Sequence, residues 1–381
     1  MAKALFWVQH LLGIGHIKRT ASLSRAMTAA GMDVVIASGG LPVENLRMGS
    51  ARLHQLPGVR AVDLYFKDLR DENDKPIDDD WRARRKAATM ALLEQEAPDI
   101  VITELFPFGR RQFLFELEAL LTEARAGGAL TVCSVRDILV APPKPERLLE
   151  MLERAERLFD RILVHGDPDL VPFEESFPHT ERLKDKLAYT GYVVEEAAPA
   201  KDQDGLGEVI VSAGGGAVSE PLLRAAIAAH PLCDAGSKLP WRLLCGAGLG
   251  ADLMAELRAQ AGNGLIVEAA RPDFPGLLRR ARLSVSQAGY NTVMDVLAAG
   301  IPGVVVPYAG GLESEQTLRA RRLEERGVLQ VVDEDKLTPT ALAAAIDKAL
   351  ATSPEALAGL AIAGGAETPR ILLADLAARP G

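Results

Sequence analysis

The stretch LSVSQAGYNTVMDVLAAGIPGVVVPYAGGLESEQTLRARRLEERG (residues 283–327) decides how this chain folds. An apolar run from Leu283 leads into Ala288-Gly289-Tyr290-Asn291-Thr292 and a helical pattern carrying Asp295. A stop at Gly300-Ile301-Pro302 follows, then a second apolar run closing at Pro307 and a helical pattern entered through Glu315-Gln316. Strand, helix, strand, helix is the alternation of a parallel sheet built of βα units. It brings helix N-termini, a carboxylate and an acid–amide pair to one sheet edge. Asn291 or Thr292 is expected to cap the first helix and Ser314 the second. Asp295 falls four residues after Asn291, on the same helical face.

Outward from there, the second half places strands at Val209–Ser212, Trp241–Cys245, Leu265–Val267, Leu283–Val285, Val304–Val306 and Leu329–Val332. The first half places them at Leu5–Gln9, Asp33–Ala37, Ile100–Thr103, Leu130–Ser134 and Arg161–Val164, with a helix over Lys18–Ala30 that ends at Gly31. Residues 68–80 carry too much charge for core and read as an exposed excursion. The Glu-Glu-Ala-Ala-Pro-Ala-Lys-Asp-Gln-Asp-Gly run from Glu195 reads as a linker. The expected fold class is α/β: two Rossmann-like, doubly wound parallel-sheet domains facing across a cleft. Expected boundaries are 1–196, a linker at 197–207, 208–365, and a C-terminal helix or tail at 366–381 crossing back to the first domain. Ligands of such sheets bind beyond the carboxyl ends of the strands.

Composition removes several classes of function. With 381 residues, 48% hydrophobic and 25% charged, the chain suits two ordinary domains. Its net charge of −9 is shared by two mildly acidic halves, so no basic footprint for nucleic acid exists. No apolar run approaches the roughly 18–20 residues of a membrane span, and the N-terminus reads as a strand rather than a leader, so a cytoplasmic location is expected. Three scattered cysteines imply neither disulfides nor a metal knuckle, and the six histidines form no zinc-binding pair. The clusters Arg82–Lys86 and Arg279–Arg282 read as solvated helix faces. The rival for the first is a peripheral membrane contact, made with Phe66 and Trp81 on the inner membrane face. Oligomeric state is not legible.

Three motifs carry chemistry. Gly13-Ile-Gly15-His16 follows the first strand and opens a helix, giving close backbone approach, free amides and a histidine with a general base's intrinsic pKa. The structural alternative is a plain histidine at a helix start. Gly214-Gly215-Gly216 follows the strand at Val209 and can cradle a diphosphate, or be only a flexible turn. Asp295 can accept both hydroxyls of a ribose, or merely complement a helix dipole. Glu315 and Gln316 sit in a first turn at the same edge, polar partners for sugar hydroxyls or an ordinary acidic turn. Gly246-Ala-Gly248-Leu-Gly250-Ala251, with Glu268 about 20 residues on, imitates a dinucleotide fingerprint. It belongs to the second βα unit of its domain rather than the first. Asp167-Pro168-Asp169 imitates a metal-binding pair, but the proline makes a stiff turn and helix cap the better account.

At these residues the chain resembles a two-Rossmann-domain (GT-B) glycosyltransferase. It is similar to the branch containing the peptidoglycan N-acetylglucosaminyltransferase MurG and plant monogalactosyldiacylglycerol synthases. Within that branch it resembles a bacterial group of predicted glycosyltransferases. That likeness runs through Val8–His16, Glu104–Phe113, Ser134–Ile138, Val164–Pro168, Tyr189–Tyr192, Ser212–Gly216, Arg271–Pro275 and Ser286–Asp295. The resemblance puts Asp295 on the family glutamate that binds the donor's ribose, and Glu315 and Gln316 on the pair that holds the donor sugar. Gly214–Gly216, Ala288 and Gly289, with Asn291 and Thr292 beside them, fall on loops around the diphosphate. Ala270–Phe274, with Arg271 and Phe274, lies where relatives contact the base, usually uracil. The string departs from MurG there, which leaves the nucleobase open. Gly13, Gly15 and His16 match the first glycine-rich loop. Glu104, Arg110, Arg136 and Asp137 lie where acceptors approach.

The resemblance thus implies an inverting, metal-independent transfer of a sugar from a UDP-linked donor to a hydroxyl acceptor, lipid or small molecule. The candidate bases are His16, Asp137 and Glu104. No cofactor is expected beyond the nucleotide-sugar co-substrate, and the partners are that donor and an acceptor. Three alternatives stay open: a nucleotide-sugar hydrolase or non-hydrolysing 2-epimerase, a non-catalytic sugar-nucleotide binder, and an NAD-dependent oxidoreductase.

Overall fold

The computed structural model describes residues 1–63, 66–140, 144–194, 200, 203–213, 220–246, 248–308, 315–352 and 360–379. It divides into two α/β units, Met1–Val194 with Ala361–Gly381, and Glu195–Leu360.

The first unit runs β1 (Lys3–Val8), α1 (Gly15–Ala29), β2 (Asp33–Ser38), β3 (Arg52–Gln55), β4 (Val59–Ala61), β5 (Leu69–Asp71), α2 (Asp79–Glu96), β6 (Ile100–Glu104), α3 (Leu114–Ala126), β7 (Leu130–Arg136), α4 (Glu146–Leu158), β8 (Arg161–His165) and β9 (Leu187–Tyr189). Its seven-stranded parallel sheet has the order β3-β2-β1-β6-β7-β8-β9. Strand order reverses between β1 and β6, the switch point where doubly wound sheets open a crevice. Side chains alternate along each strand. Leu5 and Trp7 therefore join a core with Trp81, Leu117 and Leu152, while Ala4, Phe6 and Val8 join another with Ile17, Leu23 and Leu372. Both faces are covered, which is why the strands read as unbroken apolar runs. Each large side chain so buried contributes roughly 1.5–3 kcal/mol.

Two expectations fail in this unit. The stretch 68–80 is not wholly exposed: β5 pairs antiparallel with β4, and Leu69 and Asp71 are buried. Asp71 accepts the amides of Asn73 and Lys75, each at 2.9 Å, so its charge serves a turn. Nor is Arg82–Lys86 a uniform solvated face. Arg84 and Lys86 are exposed on α2, but Arg85 is fully buried. Trp81 is buried too, and Phe66 packs against the same core, so the two aromatics form no interfacial patch.

The second unit runs β10 (Val209–Ala213), α5 (Glu220–Ala229), β11 (Trp241–Cys245), α6 (Ala251–Gln260), β12 (Leu265–Ala269), α7 (Phe274–Leu278), β13 (Leu283–Gln287), α8 (Tyr290–Ala299), β14 (Gly303–Val306), α9 (Glu315–Glu325), β15 (Leu329–Val331) and α10 (Pro339–Leu350). Its parallel sheet has the order β12-β11-β10-β13-β14-β15, with the switch point between β10 and β13. Helix α8 stops at Gly300, whose φ of +65° favours glycine. Its start corrects an expectation. Gly289 is the N-cap and no side chain caps the helix, so Asn291 and Thr292 lie inside its first turn. The expected cap Ser314 and the triplet Gly214–Gly216 lie outside the described residues.

The chain ends on the first unit. Helix α11 (Gly364–Ala377) packs along α1, and Arg161 clamps its Asp375 with two hydrogen bonds of 2.6 and 2.5 Å. At its start a Cβ on Gly364 would lie 2.4 Å from the Gly191 carbonyl oxygen and 2.9 Å from that of Tyr192. Backbone atoms cannot step aside as a flexible side chain can. Gly364→Ala is therefore expected to cost about 1–3 kcal/mol, read as a lower urea midpoint. An unchanged midpoint would show that the helix docks without this close approach.

Candidate active site

Helix α1 begins beyond β1, so His16 in its first turn stands at the switch point beside Glu104, the last residue of β6. His16 Nδ1 lies 3.0 Å from Glu104 Oε1, and Arg19, one turn along α1, pairs with the same oxygen. Ser134, opposite Glu104 in the β6–β7 register, donates to its Oε2 at 2.8 Å. The chain continues from Ser134 Oγ to His165 Nε2 at 2.9 Å and from His165 Nδ1 to Thr190 Oγ1 at 2.8 Å. Glu104, Ser134, His165 and Thr190 are all buried, whereas the His16 side chain is 21% exposed.

Charge fixes the proton positions. Burial alone would raise the Glu104 carboxyl, but the Arg19 charge and the His16 hydrogen bond outweigh it and hold it well below the usual carboxylate range. Burial, followed by the Arg110 charge, pushes His16 down to about 3. His165 is likewise pushed down to about 3, by burial and the Arg19 charge. His16 is thus neutral at pH 7. A carboxylate can only accept, so Nδ1 carries the proton and Nε2 keeps its lone pair. A neutral imidazole oriented by a buried carboxylate has the form of a general base.

Of the three expected bases, two are fully buried and occupied within the protein. Glu104 serves His16, Arg19 and Ser134. Asp137 accepts from Tyr192 Oη at 3.1 Å and from the Ile138 amide at 2.9 Å. Gly13 is exposed, with open space around its Cβ position. Gly15 opens α1, whose first turn has no side-chain cap.

In the second unit, Ala288 is buried and Gly289 borders open space at the switch point. Asn291 is exposed there, while Thr292 and Asp295 are half-buried. Glu315, expected to face a sugar, is instead buried in an ion pair of 2.9 Å with Arg319 on its own helix. The Arg319 guanidinium lies 5.0 Å from the Tyr290 ring centroid, tying the start of α9 to the start of α8. Gln316 Oε1 accepts the Tyr308 amide at 3.2 Å. Arg271 is held by Asp273 at 2.9 and 2.7 Å and by Asp204 at 2.5 Å, and Phe274 opens α7 half-buried. Glu268, the acid of the dinucleotide-like string, is bound by Arg242 at 2.8 Å. Asp167 accepts the Asp169 amide at 2.9 Å and the Ala361 amide at 3.1 Å, a turn-forming role. Among the described residues no cluster of metal-ligating side chains occurs.

Sequence reasoning missed Arg19, Ser134, His165 and Thr190. The available signal was their position at the carboxyl ends of parallel strands and in the first helix.

Residues 209–364 match the profile of the glycosyltransferase family 28 C-terminal domain. A UDP-N-acetylglucosamine--N-acetylmuramyl-(pentapeptide) pyrophosphoryl-undecaprenol N-acetylglucosamine transferase of Paramagnetospirillum magneticum is 34% identical over 113 residues, 29% of this chain and 30% of that enzyme. The match thus spans under a third of that relative's length. An uncharacterized glycosyltransferase of Methanosarcina mazei is 23% identical over 83% of this chain and 82% of its own. The fold is shared with the calicheamicin glycosyltransferase CalG4 (TM-score 0.65, 17% identity, 99% and 98% of the two chains). It is also shared with the glycosyltransferase VinC in complex with dTDP (TM-score 0.63, 14% identity, 99% and 100%). At these identities the structural likeness is one of fold. No helix among the described residues is long and apolar enough to cross a membrane.

Proposed function

We propose that this protein transfers a sugar from a nucleoside diphosphate sugar to a hydroxyl acceptor, with inversion at the anomeric carbon and no metal assigned a role. The observation that carries the reading is the neutral, carboxylate-oriented His16 at one switch point, in a chain whose other switch point lies in a family 28 domain. His16 Nε2 removes the acceptor hydroxyl proton as that oxygen attacks the anomeric carbon. The bond from that carbon to the diphosphate oxygen breaks, and the diphosphate leaves with the electron pair. The uncapped start of α8 at Gly289 supplies amide donors for the charge that develops there. Asp295 accepts the ribose hydroxyls, and Gln316 orients the sugar. The donor is UDP-linked in this reading, in line with the Paramagnetospirillum magneticum relative.

A thermal-shift comparison of UDP, dTDP, GDP and their sugars tests it, because a ligand that binds the folded state raises Tm. No stabilisation by any of them would sink the proposal. Asp295→Ala is expected to weaken binding of the stabilising nucleotide about tenfold or more, the loss of a charged hydrogen-bond acceptor. Calorimetry giving an unchanged Kd would remove Asp295 from the donor site.

A further inference from the structure

His165 is a buried titratable group that the chemistry above leaves idle. It ends β8, and both its ring nitrogens belong to a row of hydrogen bonds that crosses the carboxyl ends of β6, β7, β8 and β9. The pairing of neighbouring strands sets the spacing of that row.

Counting protons gives the row a direction. The Glu104 carboxylate can only accept, so the single hydroxyl proton of Ser134 goes to Oε2 at 2.8 Å. Ser134 Oγ then offers His165 lone pairs alone, and Nε2, 2.9 Å away, carries a proton. At the other ring nitrogen, Thr190 Oγ1 lies 2.8 Å from Nδ1 and 2.9 Å from the Gly191 carbonyl oxygen. A second ring proton on Nδ1 would turn the hydroxyl to that carbonyl and enclose a cation in the core. Burial, followed by the Arg19 charge, opposes that state. Nδ1 is therefore bare, and the Thr190 hydroxyl donates to it. Thr190 donates to His165, His165 to Ser134 and Ser134 to Glu104, each step pointing the same way.

The far end of the row is rigid. The Thr190 amide donates to the Val164 carbonyl at 3.0 Å, and the Tyr192 amide to the Ala361 carbonyl at 2.7 Å. Between them Gly191 has φ of +80°, and a Cβ there would lie 2.8 Å from the Ala361 oxygen. The near end has competition, because Glu104 Oε1 is shared by His16 Nδ1 and Arg19. A guanidinium fork accepts both oxygens of a carboxylate when they are offered. The Ser134 bond to Oε2 holds the second oxygen back.

Resting on the transferase reading, we propose that Ser134, His165 and Thr190 are positioning residues for the base: their one-way hydrogen bonds fix the Glu104 carboxylate so that Oε1 stays on His16 Nδ1. Which nitrogen of a histidine carries the proton is set by the bond the other one makes. The row therefore acts on the tautomer of His16 and keeps the Nε2 lone pair for the acceptor hydroxyl.

The tautomers are read from the ¹⁵N ring resonances of the full chain at pH 7, assigned by their loss in His16→Gln and in His165→Gln. The wild type should carry its proton on Nδ1 of His16 and on Nε2 of His165. His165→Asn and Ser134→Ala each break the row and should give His16 a mixture of tautomers. Both should lower the kcat of sugar transfer about 10–100-fold with the donor KM unchanged, short of the roughly 10⁴-fold cost of losing a tautomer-setting carboxylate. His165→Gln, whose amide can place an N–H where Nε2 stood, should restore most of the His16 tautomer and of kcat. Three results would each overturn the proposal: a wild-type His165 protonated on Nδ1 alone, an unchanged His16 tautomer in folded His165→Asn and Ser134→Ala, or equal losses in His165→Asn and His165→Gln. Absence of turnover with every nucleotide sugar would count against the transferase reading, while the tautomers still decide whether the row positions His16.

Discussion

Replacing His16 with alanine is expected to lower the turnover of sugar transfer by about 10²–10⁴-fold, the usual value of a positioned general base, and to leave nucleotide affinity unchanged. Equal losses in turnover and affinity would make His16 a binding residue. Glu104→Gln is the informative partner variant. Its amide can present an N–H to Nδ1, turning the imidazole so that the proton moves to Nε2 and the base is lost. A loss close to that of His16→Ala is expected, despite nearly unchanged shape. The pH dependence follows from the same geometry. A base works only when unprotonated, and the His16 pKa is pushed down to about 3. The acid limb of kcat/KM should therefore lie well below the 6.5 of a free imidazole. The stability linkage has a definite sign. His16 and His165 both have depressed pKa values in the folded state. The stability they contribute is present above about 6.5 and is lost as pH falls from there towards about 3. Urea unfolding across that window should show the decline, and His16→Gln should remove its share of the slope.

The parts of this molecule that could be read in the chain are those governed by local pattern. Strands buried on both faces announced themselves as apolar runs, and the loops beyond their carboxyl ends announced themselves through Gly13, Gly15, Ala288 and Gly289. His16 was legible for the same reason, as the polar side chain that follows Gly13 and Gly15 after β1. Glu104 was legible only as an alternative base, and the contacts that set it behind His16 were not. Glu104 and Ser134 are 30 residues apart, and Ser134 and His165 are 31 apart. Only the β6–β7–β8 register brings them together. Charge misled in both directions. Asp71 and Arg85 looked solvated because each stands in a charged run, yet the first closes a turn and the second meets its partner across two helices. In the second unit the pattern correctly located α9, but it had no means of seeing that Arg319, one turn on, claims Glu315.

Arg85 supports the second large prediction: Arg85→Ala should destabilise the first unit by about 3–5 kcal/mol, the cost of leaving a buried charge without its partner. Arg85 Nε donates to Glu116 Oε2 at 3.0 Å, and both side chains are fully buried. Thr89 Oγ1 donates to that oxygen at 2.6 Å. The other guanidinium nitrogens reach the Gly39 and Pro57 carbonyls at 3.1 and 2.7 Å and Gln9 Oε1 at 3.1 Å. The fit depends on Gly39, where a Cβ would lie 2.1 Å from Arg85 Nη2. Burial raises the Glu116 pKa and lowers that of Arg85, so desolvation takes back much of what the pairing contributes. Replacing both, as Arg85→Met with Glu116→Leu, should therefore restore most of the urea midpoint that either single change loses. A double variant no more stable than Arg85→Ala would show that the carbonyl and Gln9 contacts, rather than the ion pair, hold this region together. Gln9 also makes the link to function. Its carbonyl anchors Arg110, and the residues after it lead directly to His16. A double variant that regains its stability but loses turnover would identify the Arg85–Gln9 hydrogen bond as the contact that positions the loop for chemistry.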